Sequence, residues 1–150
     1  MSKGALKISD ITPDPHNANK GTQRGRALLE QSLRKLGAGR SILVDKNNVA
    51  IAGNKTLEVA GELGLRVKEI ETDGNELIVV RRTDLDLSTD KRAKELAIAD
   101  NRVSEVGLSW DGPTLEAQGI DLAPWFSEIE LGKINEPQSP ENFPEVDENI

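Results

Sequence analysis

The chain has 150 residues and a net charge of −7, with no cysteine and one histidine. The lack of cysteine excludes thiol catalysis, thiolate metal ligation and disulfide staples, and it fits a reducing compartment. A lone His16 among Pro, Asp and Asn reads as a loop residue, leaving no basis for a histidine metal site or a Ser-His-Asp triad.

No apolar run approaches the roughly 20 residues of a membrane span, and MSKGALKISD lacks the apolar stretch of a secretory signal. A cytoplasmic protein without a membrane partner is the expectation. The length is that of one domain, able to bury roughly 70% of its unfolded surface.

Residues 5–12, ALKISDIT, predict a short strand. PDPHNANKGTQRG is a long loop of turn-forming residues. From Arg24, the residues Ala27, Leu28, Leu29, Leu33 and Leu36 recur at helical spacing, which predicts a helix over about 24–36 ended by Gly37. SILVD and VAIA read as two strands joined by Lys46-Asn47-Asn48. TLEVAGELG predicts a helix ending at Gly64. VKEIET and ELIVVRR flank Asp73-Gly74-Asn75 and predict a second hairpin, because Asp and Gly tolerate the positive φ of a tight turn. Ser88 or Thr89 is placed to cap a helix running to about Val106 and stopped by Gly107.

TLEAQ and PWFSEIEL predict short helices, with Trp125 and Phe126 docking on the core. The alternation of helices with hairpins predicts an α+β (mixed α/β) domain with a small mixed sheet and three main helices. The domain is expected over 1–110, a short helical extension over 111–135, and an acidic, Pro-interrupted, disordered tail over 136–150. No internal repeat is evident.

Charge is unevenly spread. The tail holds five acids and no base, and without it the net charge is −2. Between Asn17 and Arg40, six bases (Lys20, Arg24, Arg26, Arg34, Lys35, Arg40) face only Glu30, a local charge of +5. An anion-friendly segment therefore lies inside an acidic protein.

Four clusters at element boundaries carry candidate chemistry. GNKT (Gly53, Asn54, Lys55, Thr56) opens a helix whose first N–H groups lack internal partners and carry the positive end of the dipole. Glycine permits close approach, and Lys55 adds charge, a combination suited to phosphate. It is not a P-loop, since Asn54 splits Gly53 from Lys55. KGTQRGR puts Arg24 and Arg26 in a helix's first turn, where the dipole disfavours cations unless an anion is present. GAGRS sets Arg40 and Ser41 at the start of a strand. ADNR puts Asp100, Asn101 and Arg102 in one helical turn. Asp100 and Asn101 supply hard oxygens of the kind magnesium takes, and Arg102 can meet a phosphate. A capped junction or a solvated polar face accounts for each cluster singly; together they point to a polyanionic ligand.

The order of these motifs resembles the ParB N-terminal-like domain of the ParB/sulfiredoxin superfamily, over about Ile8 to Trp110. The residues that carry the resemblance are PDPHN, LLEQSLRKLGAGRSILVD, AIAGNKTLEVAGELG and LAIADNRVSE. They are similar to the family's opening segment, its helix-Gly-strand, its "I-x-G-x-R-R-x-x-A" box and its "E-N-x-x-R" box. Trp110-Asp111 after ADNR is similar to the small forms found in phages and beside DNA methyltransferases.

The resemblance implies a nucleotide pocket for CTP or ATP with magnesium. In it Gly53, Asn54, Lys55 and Thr56 face the phosphates, Asp100 and Asn101 the metal, and Arg40 and Ser41 the base or phosphate. Lys55-Thr56 replaces the family's two arginines, which removes a bidentate grip and leaves a point charge. Asp100 stands in place of Glu. The sulfiredoxin activity needs a cysteine in the box and is excluded. No helix-turn-helix pattern follows, so centromere binding is not expected of this chain alone.

Three functions follow as expectations. The first is a DNA-associated nucleotide-binding domain of a phage or mobile element, with slow hydrolysis left open and no catalytic residue assigned. The second is a metal-dependent nuclease, for which Asp100, Glu58 and Glu30 are the candidate carboxylates. The third is a non-catalytic DNA- or partner-binding accessory of a DNA methyltransferase, whose acidic tail would cover the basic segment. An oligomer is compatible with each.

Overall fold

In the computed structural model, residues 5–136 are described. A 3-10 turn over Ile8–Asp10 is followed by helix α1 (Gln23–Leu36), strands β1 (Leu43–Val44) and β2 (Ala50–Ala52), and helix α2 (Asn54–Leu63). Helix α3 (Lys91–Val106) and two short helices, α4 (Gly112–Glu116) and α5 (Glu128–Ile134), complete the order. The architecture is mixed, with helices around a small two-stranded sheet, and so is compatible with an α+β class. The expected mixed sheet is reduced to one antiparallel pair, β1 with β2, to which Thr12 adds a single parallel bridge at Val49.

Local chemistry explains most boundaries. Thr22 caps α1, its hydroxyl accepting the Gly25 N–H, and Gly37 ends the helix with a positive φ of 79°. Gly64 ends α2 in the left-handed region, where Leu65 N–H reaches back to the Ala60 carbonyl at 3.1 Å. Helix α3 begins later than Ser88 or Thr89. The cap is Asp90, whose carboxylate accepts from Arg92 N–H at 2.8 Å. Ser88 is already spent on a turn closed by Asp86, to which it donates both its N–H and its hydroxyl.

The core is small. Ile11, Ala50 and Leu57 pack with Leu6, Ile8, Ile42 and Val44 between the sheet, the N-terminal turn and α2. Val59, Leu33 and Leu36 are also buried. Helix α1 packs chiefly on α3, antiparallel to it. At one end Thr22 Oγ1 donates to the Val106 carbonyl at 2.6 Å, and at the other Lys35 meets Glu95 at 2.7 Å. The helices approach closely because Gly25 faces Gly107; a Cβ on Gly25 would stand 2.6 Å from Gly107 Cα.

Three further expectations need correction. Residues 5–12 form a 3-10 turn and one bridge rather than a strand. The hairpin of VKEIET and ELIVVRR does not form. Its turn is present, with Gly74 and Asn75 N–H groups held by Thr72 and Asp73 side chains, yet residues 66–81 make no ladder. Trp125 is 73% exposed and does not dock, whereas Phe126 meets Trp110 edge to face at 5.4 Å. The expected acidic tail lies, from residue 137 on, outside the described residues.

Candidate functional site

The loop before α1 is fixed from both sides. Asn54 Oδ1 accepts the Asp14 N–H at 2.7 Å, which ties PDPHN to the start of α2. Asn19 Oδ1 accepts from Gly21 N–H and Ser109 N–H, and Asp111 N–H donates to the Ala18 carbonyl at 2.8 Å. The Trp110-Asp111 pair thus lies against the loop that opens α1. His16 sits exposed in a turn, as its neighbours predict.

Helix α2 starts at Gly53, which has a φ of 93° and no side chain to cap the first amides. The glycine is required: a Cβ here would stand 2.5 Å from Ile42 Cγ2. Ile42 follows directly on Arg40-Ser41, so the GAGRS segment runs into the start of α2. Lys55 lays its stem over Gly21, where a Cβ would meet Lys55 Cε at 2.8 Å and the Gly107 carbonyl at 3.7 Å. GNKT and KGTQRGR, separated by some thirty residues in the sequence, are therefore in contact, beside the end of α3.

ADNR is reached from GAGRS. Arg40 Nε pairs with Asp100 Oδ1 at 2.6 Å, and Gly39 lies against Leu96. Arg102 pairs with Glu105 along α3 at 2.6 Å. The side chains of Ser41, Thr56 and Asn101 make no hydrogen bond among the described residues. Arg24 has a half-buried place in the first turn of α1.

The basic segment is largely neutralised. Arg26 bridges Glu58 (2.7 Å) and Glu62 (2.5 Å) on α2, and Glu62 holds its guanidinium firmly protonated. Arg34 pairs with Glu30, Lys35 with Glu95 and Arg40 with Asp100. The field of Lys20 helps hold the Asp111 carboxyl below its usual range, after the larger effect of the Thr114 hydroxyl. A run of bases in one dimension becomes a set of inter-element ion pairs in three, and the local excess of +5 does not survive as a bare patch.

Sequence reasoning missed Arg82. Its guanidinium clamps Asp84 through two 2.8 Å hydrogen bonds and donates to the Ala38 carbonyl at 3.0 Å, lying over Gly37. The hydrogen bond from Arg82 pulls the Asp84 carboxyl down to about 2. No local motif announces this contact, because its partners are 44 positions apart.

Among the described residues no group of three or more carboxylates or histidines is placed to hold a metal, and no helix is long and apolar enough to cross a membrane. A cavity of about 90 Å³ lies between α1 and α3, bordered by Gln31, Ser32, Lys35, Glu95 and Arg102. It does not border Lys55 or Gly53. Comparison with protein-family models, characterised proteins and solved structures finds no match.

Proposed function

We propose that the corner formed by the starts of α1 and α2 and the 37–41 loop binds the phosphates of a nucleotide, CTP or ATP, with magnesium, in the manner of a ParB-like domain of a phage or mobile element. One observation carries this reading: Lys55 lies over Gly21 while Arg40, two residues before the Gly53-facing Ile42, pairs with Asp100. Four clusters remote in sequence meet through these contacts. The uncapped first amides of α2 add hydrogen-bond donors beside Lys55.

Arg40 and Asp100 hold one another in the absence of ligand. Exposed pairs of this kind contribute only about 0–1 kcal/mol, so they exchange readily. A triphosphate would engage Arg40, and Asp100, with Asn101 next to it in the chain, would hold magnesium, which would neutralise charge on the phosphates. Thr56 and Ser41 offer hydroxyls, and Arg24 and Arg102 further charge. Turnover, where it occurs, uses water as nucleophile with Lys55 and Arg40 stabilising charge on the phosphate.

Titration calorimetry with CTP, ATP, GTP and UTP plus magnesium tests the reading. Binding by one or more at sub-millimolar concentration, weakened on the order of tenfold in Lys55→Ala through the loss of one charged hydrogen bond, is the expected result. Failure of all four overturns it.

The nuclease alternative lacks support in the geometry. Glu30, Glu58 and Asp100 lie on three different helices, and among the described residues no three carboxylates come together to hold a metal. The accessory alternative, a DNA- or methyltransferase-binding module, loses its main motive once the basic segment is paired internally.

A further inference from the structure

The run Leu77-Ile78-Val79-Val80 has the composition of a strand covered on both faces, continuous and β-branched. The structure leaves the Leu77/Val79 face open and the Ile78/Val80 face only half covered. Leu77 is 90% exposed, Val79 70%, Val80 53% and Ile78 40%. Residues 66–81 donate no hydrogen bond from their N–H groups to another backbone carbonyl among the described residues. A segment built to be a strand therefore keeps much of its apolar surface and its backbone groups open, which is a template for pairing with another chain.

The charges flanking the run say which chain. Alternate residues Glu76, Ile78, Val80 and Arg82 share one face of a strand. Set antiparallel to itself about Val79, this face reads acid–apolar–apolar–base against base–apolar–apolar–acid. Glu76 then lies opposite Arg82 of the second copy, Ile78 opposite Val80, and Val79 opposite its own copy on the other face. Moving the twofold to Ile78 instead sets Glu76 against Val80. A parallel arrangement sets like charges together, so the pattern selects one direction and one register. Arg82 has capacity for the added carboxylate: Asp84 and Ala38 engage three of its five N–H groups. Glu76 makes no ion pair within the described chain.

We propose that residues 76–82 form a twofold antiparallel strand pair with the same residues of a second copy of this chain, a self-complementary interface centred on Val79. The chain has no cysteine, so a single introduced thiol reports this geometry without background. Directly opposed residues of an antiparallel pair have Cα atoms about 4.5–5.5 Å apart, within disulfide range. Val79→Cys is the one position of the run that faces itself.

The full chain is examined by sedimentation equilibrium, and the four variants Leu77→Cys, Ile78→Cys, Val79→Cys and Val80→Cys are compared under one mild oxidant. The expected results are a concentration-dependent dimer, cross-linking fastest at Val79→Cys, and a dimer weakened on the order of tenfold by Glu76→Arg, which reverses two symmetry-related charge pairs. Unchanged circular dichroism of Glu76→Arg separates lost pairing from lost folding. A wild-type chain that stays monomeric up to about 1 mM overturns the proposal, as does equal cross-linking at all four positions. A dimer unaffected by Glu76→Arg and lost only when 137–150 are removed assigns the strand to that tail instead, and also overturns it.

Discussion

The corner of α1, α2 and α3 and the segment from 65 to 90 are opposites built from similar material. Both contain apolar runs, glycines and paired charges. In the corner, contacts between residues far apart in sequence join the elements: Thr22 with Val106, Asp14 with Asn54, Arg26 with Glu62, Arg40 with Asp100. In the segment the hydrogen bonds among the described residues are local, Gly74 with Thr72 and Ser88 with Asp86, apart from that of Arg82 to Ala38. Apolar side chains alone therefore do not make a core. They need an opposing surface, which α1 and α3 give each other and which Leu77–Val80 finds only in part.

That contrast can be broken at its strong end. Leu36, the last residue of α1, is 2% exposed, and Leu36→Ala should lower unfolding free energy by about 3 kcal/mol in urea titration. Gly53→Ala should cost about 2 kcal/mol, because alanine is strained at a φ of 93° and its methyl meets Ile42. Loss of the α3 cap in Asp90→Ala should cost about 1 kcal/mol by the same assay.

At the weak end the effects are spectroscopic. The Asp84 carboxyl should titrate near 2 rather than near its ordinary value of 3.8, and return upward in Arg82→Ala, as followed by carboxyl NMR. Because the folded value is depressed, the stabilisation from this clamp is complete above the ordinary value. It fades as pH falls through the folded one. Smallest of all, Leu77→Ser should shift the stability of the dilute monomer by less than about 0.5 kcal/mol. A larger loss would show that the run is covered in the monomer after all.

How much of this was legible in the sequence follows the same division. The three longer helices were, since apolar spacing and the glycines at 37, 64 and 107 act within a few residues. The α3 start was misplaced by a rival local bond: Asp86 captures Ser88 and leaves Asp90 to cap. The Asp73-Gly74 turn was legible, but pairing of its arms was not, because a turn residue fixes a bend and not a buried face. For the candidate site, the clusters GNKT, KGTQRGR, GAGRS and ADNR could be named from residue type. Their meeting through Lys55 on Gly21 and Arg40 on Asp100 could not, and neither could the neutralisation of Arg26 by two glutamates on α2. Ion pairs between elements leave no mark in a single chain's periodicity.

The hydrogen bond from Thr22 to Val106 also bears on how the chain folds. It closes a loop spanning 84 positions, with the whole 65–90 segment inside it. Docking α3 on α1 must therefore absorb a long closure entropy, still that of a loop of 60 positions at the Lys35–Glu95 end of the pair, which makes this step the natural bottleneck of refolding. Because that entropy grows only logarithmically, with each doubling of the loop costing roughly 0.6 kcal/mol, extra residues spliced in at the Asp73-Gly74 turn should slow refolding slightly and leave the native corner intact. The segment between α2 and α3 is thus the place where this chain can lengthen at least expense to its fold.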